Sequence, residues 1–197
     1  MTADRWGNVA SYTLTIEQTG GNGMVVPGRG FLLNNELTDF NFVPASAGVP
    51  DPNLPAAGKR PRSSMSPTIV LRNGRPFLAL GSPGGATIIT TVLQTLLNRV
   101  DFGLPLPEAI AAPRVSQRNQ ATGAAEAERA FLDSPVGQEL GSRFGQTFSP
   151  TAALFGEIGA ATGIEFLGKG RLLAAAEPTR RGGGSALVLR PVPTQGR

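Results

Sequence analysis

The segment from Phe77 to Asn98, FLALGSPGGATIITTVLQTLLN, constrains this chain more than any other. A short apolar run enters a glycine-rich turn, Gly81–Gly85, and an apolar segment of helical length leaves it. The pattern predicts a strand, a turn and a helix over Ala86–Val100. Proteins often build an anion-binding pocket from these three parts. The predicted helix has its apolar face at Ile89, Val92, Leu93, Leu96 and Leu97.

The chain before this helix predicts strands. Asn73-Gly74 is the strongest two-residue hairpin signal, so we predict a hairpin with strands at Thr68–Arg72 and Arg75–Leu80. Alternating β-branched and aromatic residues predict another strand over Asn8–Gln18. The segment ELTDFNF, 36–42, is expected to be a loop or a short helix.

The chain after this helix changes from helical to β-rich. A proline suited to a first helical turn begins Pro105–Arg114, and the helix should stop before Pro113. The segment 119–146 is helix-prone. Three candidate strands follow, around Glu165, Leu172 and Leu187. With no repeat and no clear boundary, we predict one domain over 1–197.

The composition excludes several classes of function. The 197 residues contain no Cys and no His, which removes thiol nucleophiles, the usual zinc sites and imidazole-based triads. Catalysis would have to use carboxylates, hydroxyls, arginines, an amino terminus or backbone amides. We predict no metal and no cofactor.

Charge and hydropathy exclude further partners. The formal net charge is +4, but the arginines are scattered and aromatic residues make up only 6%. This favours a solvated surface or recognition of small anions over nucleic-acid binding. No run approaches the roughly 20 apolar residues of a membrane helix. The N-terminal residues lack the apolar core of a signal peptide.

Three short motifs could carry chemistry. The turn containing Gly84 and Gly85 is neither a P-loop nor a nucleophile elbow. Its amides could stabilise an oxyanion, or the turn could simply join strand to helix. Ser63-Ser64 could bind a carboxylate or satisfy loop backbone. Glu36 and Asp39 could bind an ammonium group or form a solvated acidic turn. Together these motifs favour a site for an α-amino acid that bears a reactive acyl group.

Four segments resemble one known family. These are DRWGN, GFLLNNELTDF, KRPRSSMSPTIV and LGSPGGATIITTVLQTLLN with its continuation to Arg114. They are similar to the small subunit of the γ-glutamyltranspeptidases, which are N-terminal-nucleophile hydrolases. The similarity is dense from Asp4 to Arg114 and looser afterwards. It implies an α+β fold, namely the small-subunit half of a four-layer αββα sandwich.

The resemblance also implies a reaction. In this family a precursor cleaves itself and exposes a threonine, whose hydroxyl attacks the γ-glutamyl carbonyl of glutathione and other γ-glutamyl amides. Gly84 and Gly85 correspond to the oxyanion hole. The expected partners are a γ-glutamyl compound and the large subunit of the same precursor. No cofactor is implied, and relatives are typically exported to the periplasm or the cell exterior.

The resemblance assigns roles to the polar residues as well. Ser63 and Ser64 correspond to donors for the α-carboxylate of the glutamyl group. Glu36 and Asp39 correspond to acceptors for its α-ammonium group. Thr15 corresponds to a threonine that supports the nucleophile.

Two departures from the family bear on these expectations. Glu17 stands where the family commonly has Asn, and a third carboxylate there should favour an ammonium and repel a carboxylate. The family nucleophile would fall about four residues before Met1. Thr2 lies about five positions too late to replace it, roughly 16 Å along a strand. We therefore expect a fragment that is inactive by itself. A related acylase acting on glutaryl or other acyl amides, and a non-catalytic remnant with an amino-acid pocket, remain as alternatives.

Overall fold

The computed structural model describes residues 1–119, 123–151 and 156–189 of the chain. Contacts group the chain into two compact units. The sheet unit comprises Met1–Tyr12 and the chain from Ser66 onward, and the loop unit comprises Thr13–Met65. No helix in the described ranges combines the length and the apolar character needed to cross a bilayer.

The sheet unit contains the strands and α-helices. The strands are β1 (Thr2–Ala3), β2 (Val9–Ala10), β3 (Thr68–Arg72), β4 (Arg75–Gly81), β5 (Val115–Ser116), β6 (Ala125–Ala127), β7 (Phe148–Pro150), β8 (Thr162–Gly168) and β9 (Arg171–Ala176). The helices are α1 (Ile88–Val100), α2 (Leu106–Ala111), α3 (Arg129–Leu132) and α4 (Pro135–Phe144), with 3₁₀ turns at Gly85–Thr87 and Arg180–Gly182. The loop unit has a 3₁₀ turn at Glu36–Asp39 and a bridge between Val25 and Leu32.

The central sheet has the antiparallel order β3-β4-β8-β9. Strand β4 lies inside it, and its residues 77–80 are all buried. Four consecutive buried residues mean that both faces of this strand are covered. The core packs β4 against α1 and α2 through Phe77, Leu78, Leu80, Ile88, Val92, Leu106 and Ile110. This core holds the start of α1 against the end of β4, and so positions the glycine turn between them.

The predicted hairpin is confirmed. Strands β3 and β4 pair with Arg72 opposite Arg75. Asn73 and Gly74 have φ values of 53° and 73°, as a two-residue turn between right-twisted strands requires. The strands predicted around Glu165 and Leu172 are confirmed as β8 and β9, joined through Gly168–Gly170.

The predicted apolar face of α1 is largely wrong. Ile89, Leu93 and Leu97 are 52%, 51% and 40% exposed, and we call these three residues the exposed stripe. The buried side carries Ile88, Thr91, Val92 and Thr95 instead. The Thr95 hydroxyl donates to the Thr91 carbonyl at 2.8 Å. Because this hydroxyl is satisfied within the helix, Thr95 can be buried at little cost.

Three other predictions need correction. The strand expected over Asn8–Gln18 is only β2, and the positive φ of 72° at Glu17 is incompatible with an extended strand there. The helix-prone segment 119–146 contains β6 as well as α3 and α4, and residues 120–122 lie outside the described part. No strand occurs at 183–189, where one was expected around Leu187.

Four charged side chains form a buried quartet that the sequence analysis did not predict. Arg114, Glu128, Glu177 and Arg180 are between 1% and 7% exposed. Arg180 donates to both carboxylate oxygens of Glu128, at 2.6 and 2.7 Å. Arg114 donates to Glu177 at 2.9 Å, and Arg180 to the same carboxylate at 3.0 Å. The two positive and two negative charges balance, as buried charges require.

The quartet also holds the backbone of Ile158. The Ile158 N–H donates to Glu128 at 2.9 Å, and the Ile158 carbonyl accepts from Arg114 at 2.7 Å. Burial alone would raise the pKa of Glu128, but the hydrogen bonds from Arg180 and Ile158 outweigh it and lower that pKa. The carboxylate is therefore ionised at neutral pH.

We predict that Glu128→Gln destabilises the chain by about 3–5 kcal/mol, because it leaves one buried arginine charge uncompensated. Urea unfolding of the 197-residue chain measures this. Since the folded-state pKa of Glu128 is lowered, its stabilisation is present above the unfolded value of about 4.3 and is lost as the pH falls through the folded value. The variant should lack this acid dependence.

Glu139→Gln is the matched control. Glu139 pairs with Arg143 on an exposed helix face, with side chains 54% and 69% exposed, so its loss should cost less than about 1 kcal/mol. Equal destabilisation by the two variants would contradict a structural role for the quartet.

Candidate functional site

The acidic pair of the loop unit lies on one short turn. Glu36–Asp39 forms a 3₁₀ helix, in which side chains three residues apart eclipse. The carboxylates of Glu36 and Asp39 therefore lie on the same side, and both residues are half-buried. Two carboxylates held together in this way form a suitable environment for a cation.

Glu17 is fixed against this turn. Its Oε2 accepts from the Asn35 side-chain amide and lies 3.0 Å from the Thr38 hydroxyl. The Gln18 N–H donates to the Asn35 side chain at 3.1 Å, and the Glu17 N–H donates to the Thr15 hydroxyl at 2.9 Å. Thr15 and Glu17 are thus connected to the acidic turn through Asn35. The positive φ of Glu17 is a conformation that Asn adopts more readily.

The carboxylates of this cluster repel one another. Burial raises the pKa of Glu36, and the charges of Asp39 and Glu17 raise it further. Burial also raises the pKa of Asp39, as does Glu17, while Arg62 opposes the shift. A bound cation would relieve this repulsion. The described residues contain no cluster of three or more His, Cys, Asp or Glu side chains arranged to hold a metal ion.

The serine pair lies at the end of the loop unit. The Ser63 hydroxyl accepts from the Met65 N–H at 3.3 Å and is exposed, whereas Ser64 is half-buried. The Arg62 N–H donates to the Asn53 side chain at 2.9 Å, and the Asn53 amide donates to the Asp39 carbonyl at 2.7 Å. One side chain thus links the acidic turn to the residue before the serine pair.

The glycine turn belongs to the sheet unit. Gly84 and Gly85 have φ values of 146° and 55°, which favour glycine at both positions. The Gly84 carbonyl accepts from the Thr87 N–H at 3.1 Å and from its hydroxyl at 2.9 Å. Among the described residues, no hydrogen bond uses the N–H of Gly84 or Gly85. Both groups precede α1, where backbone amides lack acceptors within the helix.

The segment after Ile158 packs directly against this turn. The buried Ser82 hydroxyl accepts from the Ala160 N–H at 3.0 Å. A Cβ on Gly84 would lie 3.2 Å from the Gly159 Cα. A Cβ on Gly159 would lie 2.6 Å from the Thr91 hydroxyl and 2.8 Å from that of Ser82. The close approach requires glycine on both sides.

The predicted site residues therefore fall into two sets. The loop unit contains Thr15, Glu17, Glu36, Asp39, Ser63 and Ser64, and the sheet unit contains Gly84 and Gly85. Their catalytic and binding roles stay predictions. The loop-unit set is held together by Asn35, Thr38 and Asn53. These residues could not be recognised from the sequence, because Asn and Thr are common in loops and carry no motif of their own.

The chain has the α+β fold of the N-terminal-nucleophile hydrolases, which confirms the predicted fold class. The γ-glutamyltranspeptidase from Pseudomonas nitroreducens, solved in complex with L-DON, superposes with a TM-score of 0.82 at 37% identity, over 96% of this chain and 97% of that one. The family model for γ-glutamyltranspeptidase matches residues 1–187, and the chain belongs to this family.

Two proteins named glutathione hydrolase proenzyme are also similar to this chain. The glutathione hydrolase proenzyme of Bacillus subtilis is 54% identical over 113 residues, which cover 57% of this chain and 18% of that protein. The glutathione hydrolase proenzyme of Pseudomonas aeruginosa is 40% identical over 194 residues, 95% of this chain and 34% of that protein. The chain thus spans about a third or less of the length of these relatives.

A relative of another name also matches. The acylase ACY 1 proenzyme of a Pseudomonas strain is 40% identical over 113 residues, which cover 57% of this chain and 19% of that protein. Similarity to this chain is therefore shared by proteins named glutathione hydrolase and by one named acylase.

We predict that Glu17→Gln lowers the pKa values of both Glu36 and Asp39, because it removes a like charge from their surroundings. Carboxyl-carbon NMR titration of the 197-residue chain measures both values. Asp101→Asn, a change at the end of α1 in the other unit, should leave both unchanged. Unaltered values in Glu17→Gln would show that the three carboxylates do not form one electrostatic cluster.

Proposed function

We propose that the chain supplies the donor-binding and oxyanion-stabilising parts of an enzyme that transfers or hydrolyses γ-glutamyl groups of glutathione and related amides. The observation that carries the proposal is the repelling carboxylate pair, Glu36 and Asp39. The α-ammonium group of a γ-glutamyl donor would relieve this repulsion. A glutaryl group has no ammonium and would gain nothing from the pair.

The proposed recognition uses both charged groups on the α-carbon of the glutamyl group. Glu36 and Asp39 accept hydrogen bonds from the ammonium group, and Ser63 and Ser64 donate to the α-carboxylate. Glu17 adds negative charge beside the ammonium, and Thr15 supports the nucleophile. Charge-assisted hydrogen bonds of this kind are roughly twice as strong as neutral ones.

The proposed reaction is acyl transfer through an ester. A threonine hydroxyl, assigned by the family resemblance to a segment before Met1, attacks the γ-carbonyl carbon and gives its proton to its own α-amino group. The N–H groups of Gly84 and Gly85 donate to the resulting oxyanion. The intermediate collapses when the C–N bond breaks, and the leaving amine takes the proton. Water or an acceptor amine then attacks the γ-glutamyl-threonine ester and regenerates the hydroxyl.

The proposal includes a partner and a location. Because the relatives are named proenzymes, we propose that residues 1–197 act as one small-subunit-like domain paired with a large subunit from the same precursor. We also propose export to the periplasm or the cell exterior, as the resemblance implies. Acyl transfer of this type requires no cofactor.

An acylase activity is the second candidate, favoured by the match to an acylase proenzyme. A hybrid precursor separates the two. Residues 1–197 replace the segment that they match in the Pseudomonas aeruginosa proenzyme, and release of a coloured aniline is measured from γ-glutamyl and glutaryl anilides. We expect the γ-glutamyl anilide to be preferred. Preference for the glutaryl anilide would favour the acylase, and ligand binding without turnover would favour a non-catalytic remnant.

We predict that Gly84→Ala in this hybrid lowers kcat about 100- to 1,000-fold, the usual cost of disabling one oxyanion donor. The new Cβ would approach the Thr87 hydroxyl to 2.8 Å and Gly159 Cα to 3.2 Å, which displaces the turn. Steady-state kinetics measure the loss.

Gly103→Ala is the matched control, because Gly103 also has a positive φ, of 71°, but a Cβ there meets no atom within 4 Å. The folded control should keep its kcat. Comparable loss of kcat in both variants would contradict the oxyanion role.

We predict that Asp39→Asn raises KM for the γ-glutamyl anilide about 10- to 100-fold, the loss expected for one hydrogen bond to a charged group. The glutaryl anilide, which lacks the ammonium group, should be hydrolysed at an unchanged rate. Glu108→Gln, an exposed change on α2, serves as the variant control. A similar loss for both substrates would contradict recognition of an ammonium group.

A further inference from the structure

We propose that Asn53 is a positioning residue that sets the spacing between the ammonium-binding and carboxylate-binding groups of the glutamyl site. The inference rests on the proposed function, and it concerns a residue for which neither the sequence motifs nor the reaction supplies a role. Its basis is a set of hydrogen bonds within the loop unit.

Asn53 uses its backbone and both ends of its side chain. Its N–H donates to Asp51 Oδ1 at 2.8 Å, and its carbonyl accepts from the Asn41 N–H at 3.0 Å. Its Nδ2 donates to the Asp39 carbonyl at 2.7 Å, and its Oδ1 accepts from the Arg62 N–H at 2.9 Å. Because Nδ2 donates and Oδ1 accepts, these two bonds hold the half-buried side chain in a defined orientation.

The two side-chain bonds join the two ends of a long connection. Asp39 ends the acidic 3₁₀ turn, and Arg62 directly precedes Ser63. The intervening loop is rich in proline and glycine and has no helix or strand in the structure. One amide therefore fixes the separation between the ammonium acceptors and the carboxylate donors. Such a separation has to be held within about 0.5 Å for a small ligand that is bound through two charged groups on one carbon.

Asp51 holds Asn53 in place. Its carboxylate accepts from the Asn41 side chain at 2.8 Å and from the Ala45 N–H at 3.0 Å, in addition to the Asn53 N–H. The hydrogen bond from the Asn41 side chain, with those from the two backbone amides, lowers the pKa of Asp51. The carboxylate thus stays ionised over the range in which amino acids carry an ammonium group.

The position requires a donor and an acceptor at once, which explains why an amide is found there. Asn53→Asp keeps the acceptor for Arg62 but faces the Asp39 carbonyl with a carboxylate oxygen. The bond to Arg62 can survive this change, whereas the bond to Asp39 cannot. The substitution therefore separates the two halves of the site while leaving every binding group in the chain.

Three substrates test the inference in the hybrid precursor. The γ-glutamyl anilide carries both the ammonium and the carboxylate, the glutaryl anilide only the carboxylate, and the 4-aminobutyryl anilide only the ammonium. Asn53→Asp should raise KM for the γ-glutamyl anilide about tenfold, the loss of one well-placed hydrogen bond to a charged group. KM for the two singly charged substrates should stay within about twofold, because each is held through one charged group only and does not depend on the separation.

Asn41→Ala is the matched control. It removes one hydrogen bond to Asp51 from the same cluster but leaves both side-chain bonds of Asn53. We expect Asn41→Ala to lower the midpoint of urea unfolding as Asn53→Asp does. It should not raise KM for the γ-glutamyl anilide selectively. Equal losses on all three substrates in Asn53→Asp, or no loss, would overturn the inference and leave the proposed function intact.

Failure of the proposed function would give a different kinetic result. An unmodified hybrid that does not prefer the γ-glutamyl anilide over both singly charged substrates would remove the proposed function and this inference together. If the hybrid does not assemble, direct binding to the 197-residue chain tests the inference instead. NMR titration of the 197-residue chain with L-glutamate should shift the amides of Ser63, Ser64 and Asp39, and Asn53→Asp should weaken that binding about tenfold. Equal binding by both chains would overturn the inference.

Discussion

The buried quartet is the interaction on which the sheet unit depends. Its members come from four separate places in the chain, after α2, before α3, after β9 and in the last 3₁₀ turn. No single member can be buried without a partner of opposite charge, because it would leave an unpaired charge at a cost of several kcal/mol. The complete quartet therefore requires all four segments to be in place, and its ion pairs link them within the sheet unit.

The quartet is connected to the glycine turn through the backbone of residues 158–160. Ile158 is held by Glu128 and Arg114, its neighbour Gly159 packs against Gly84, and Ala160 bonds to Ser82. Contact between two glycines tolerates little displacement, since no side chain lies between the backbones to adapt. In the loop unit, the neutral side-chain amides of Asn35 and Asn53 join separate segments by hydrogen bonds. The charged side chains of the quartet do the same in the sheet unit.

Features that depend on neighbouring residues could be predicted from the sequence, whereas contacts between residues far apart in the chain could not. Asn73-Gly74 fixes its hairpin by backbone preference alone, and the spacing of Glu36 and Asp39 suffices to put both on one side of a turn. Periodicity failed at α1, because it ranks residues by hydropathy, and Thr91 and Thr95 are buried where Leu93 and Leu97 are not. Arg114 and Glu177 are 63 residues apart, and nothing in the sequence pairs them. The amides that organise the site are likewise defined only by their partners.

The exposed stripe on α1 has a consequence for the chain in solution. Three large apolar side chains on successive turns of one helix form a surface that favours self-association. The net charge of +4, carried largely by arginines, opposes this by repulsion between molecules. Because about 0.1 M salt shortens the reach of that repulsion to about 10 Å, added salt should shift the balance toward association. Ionic strength is thus expected to influence the association of the isolated chain, independently of the stability of its fold.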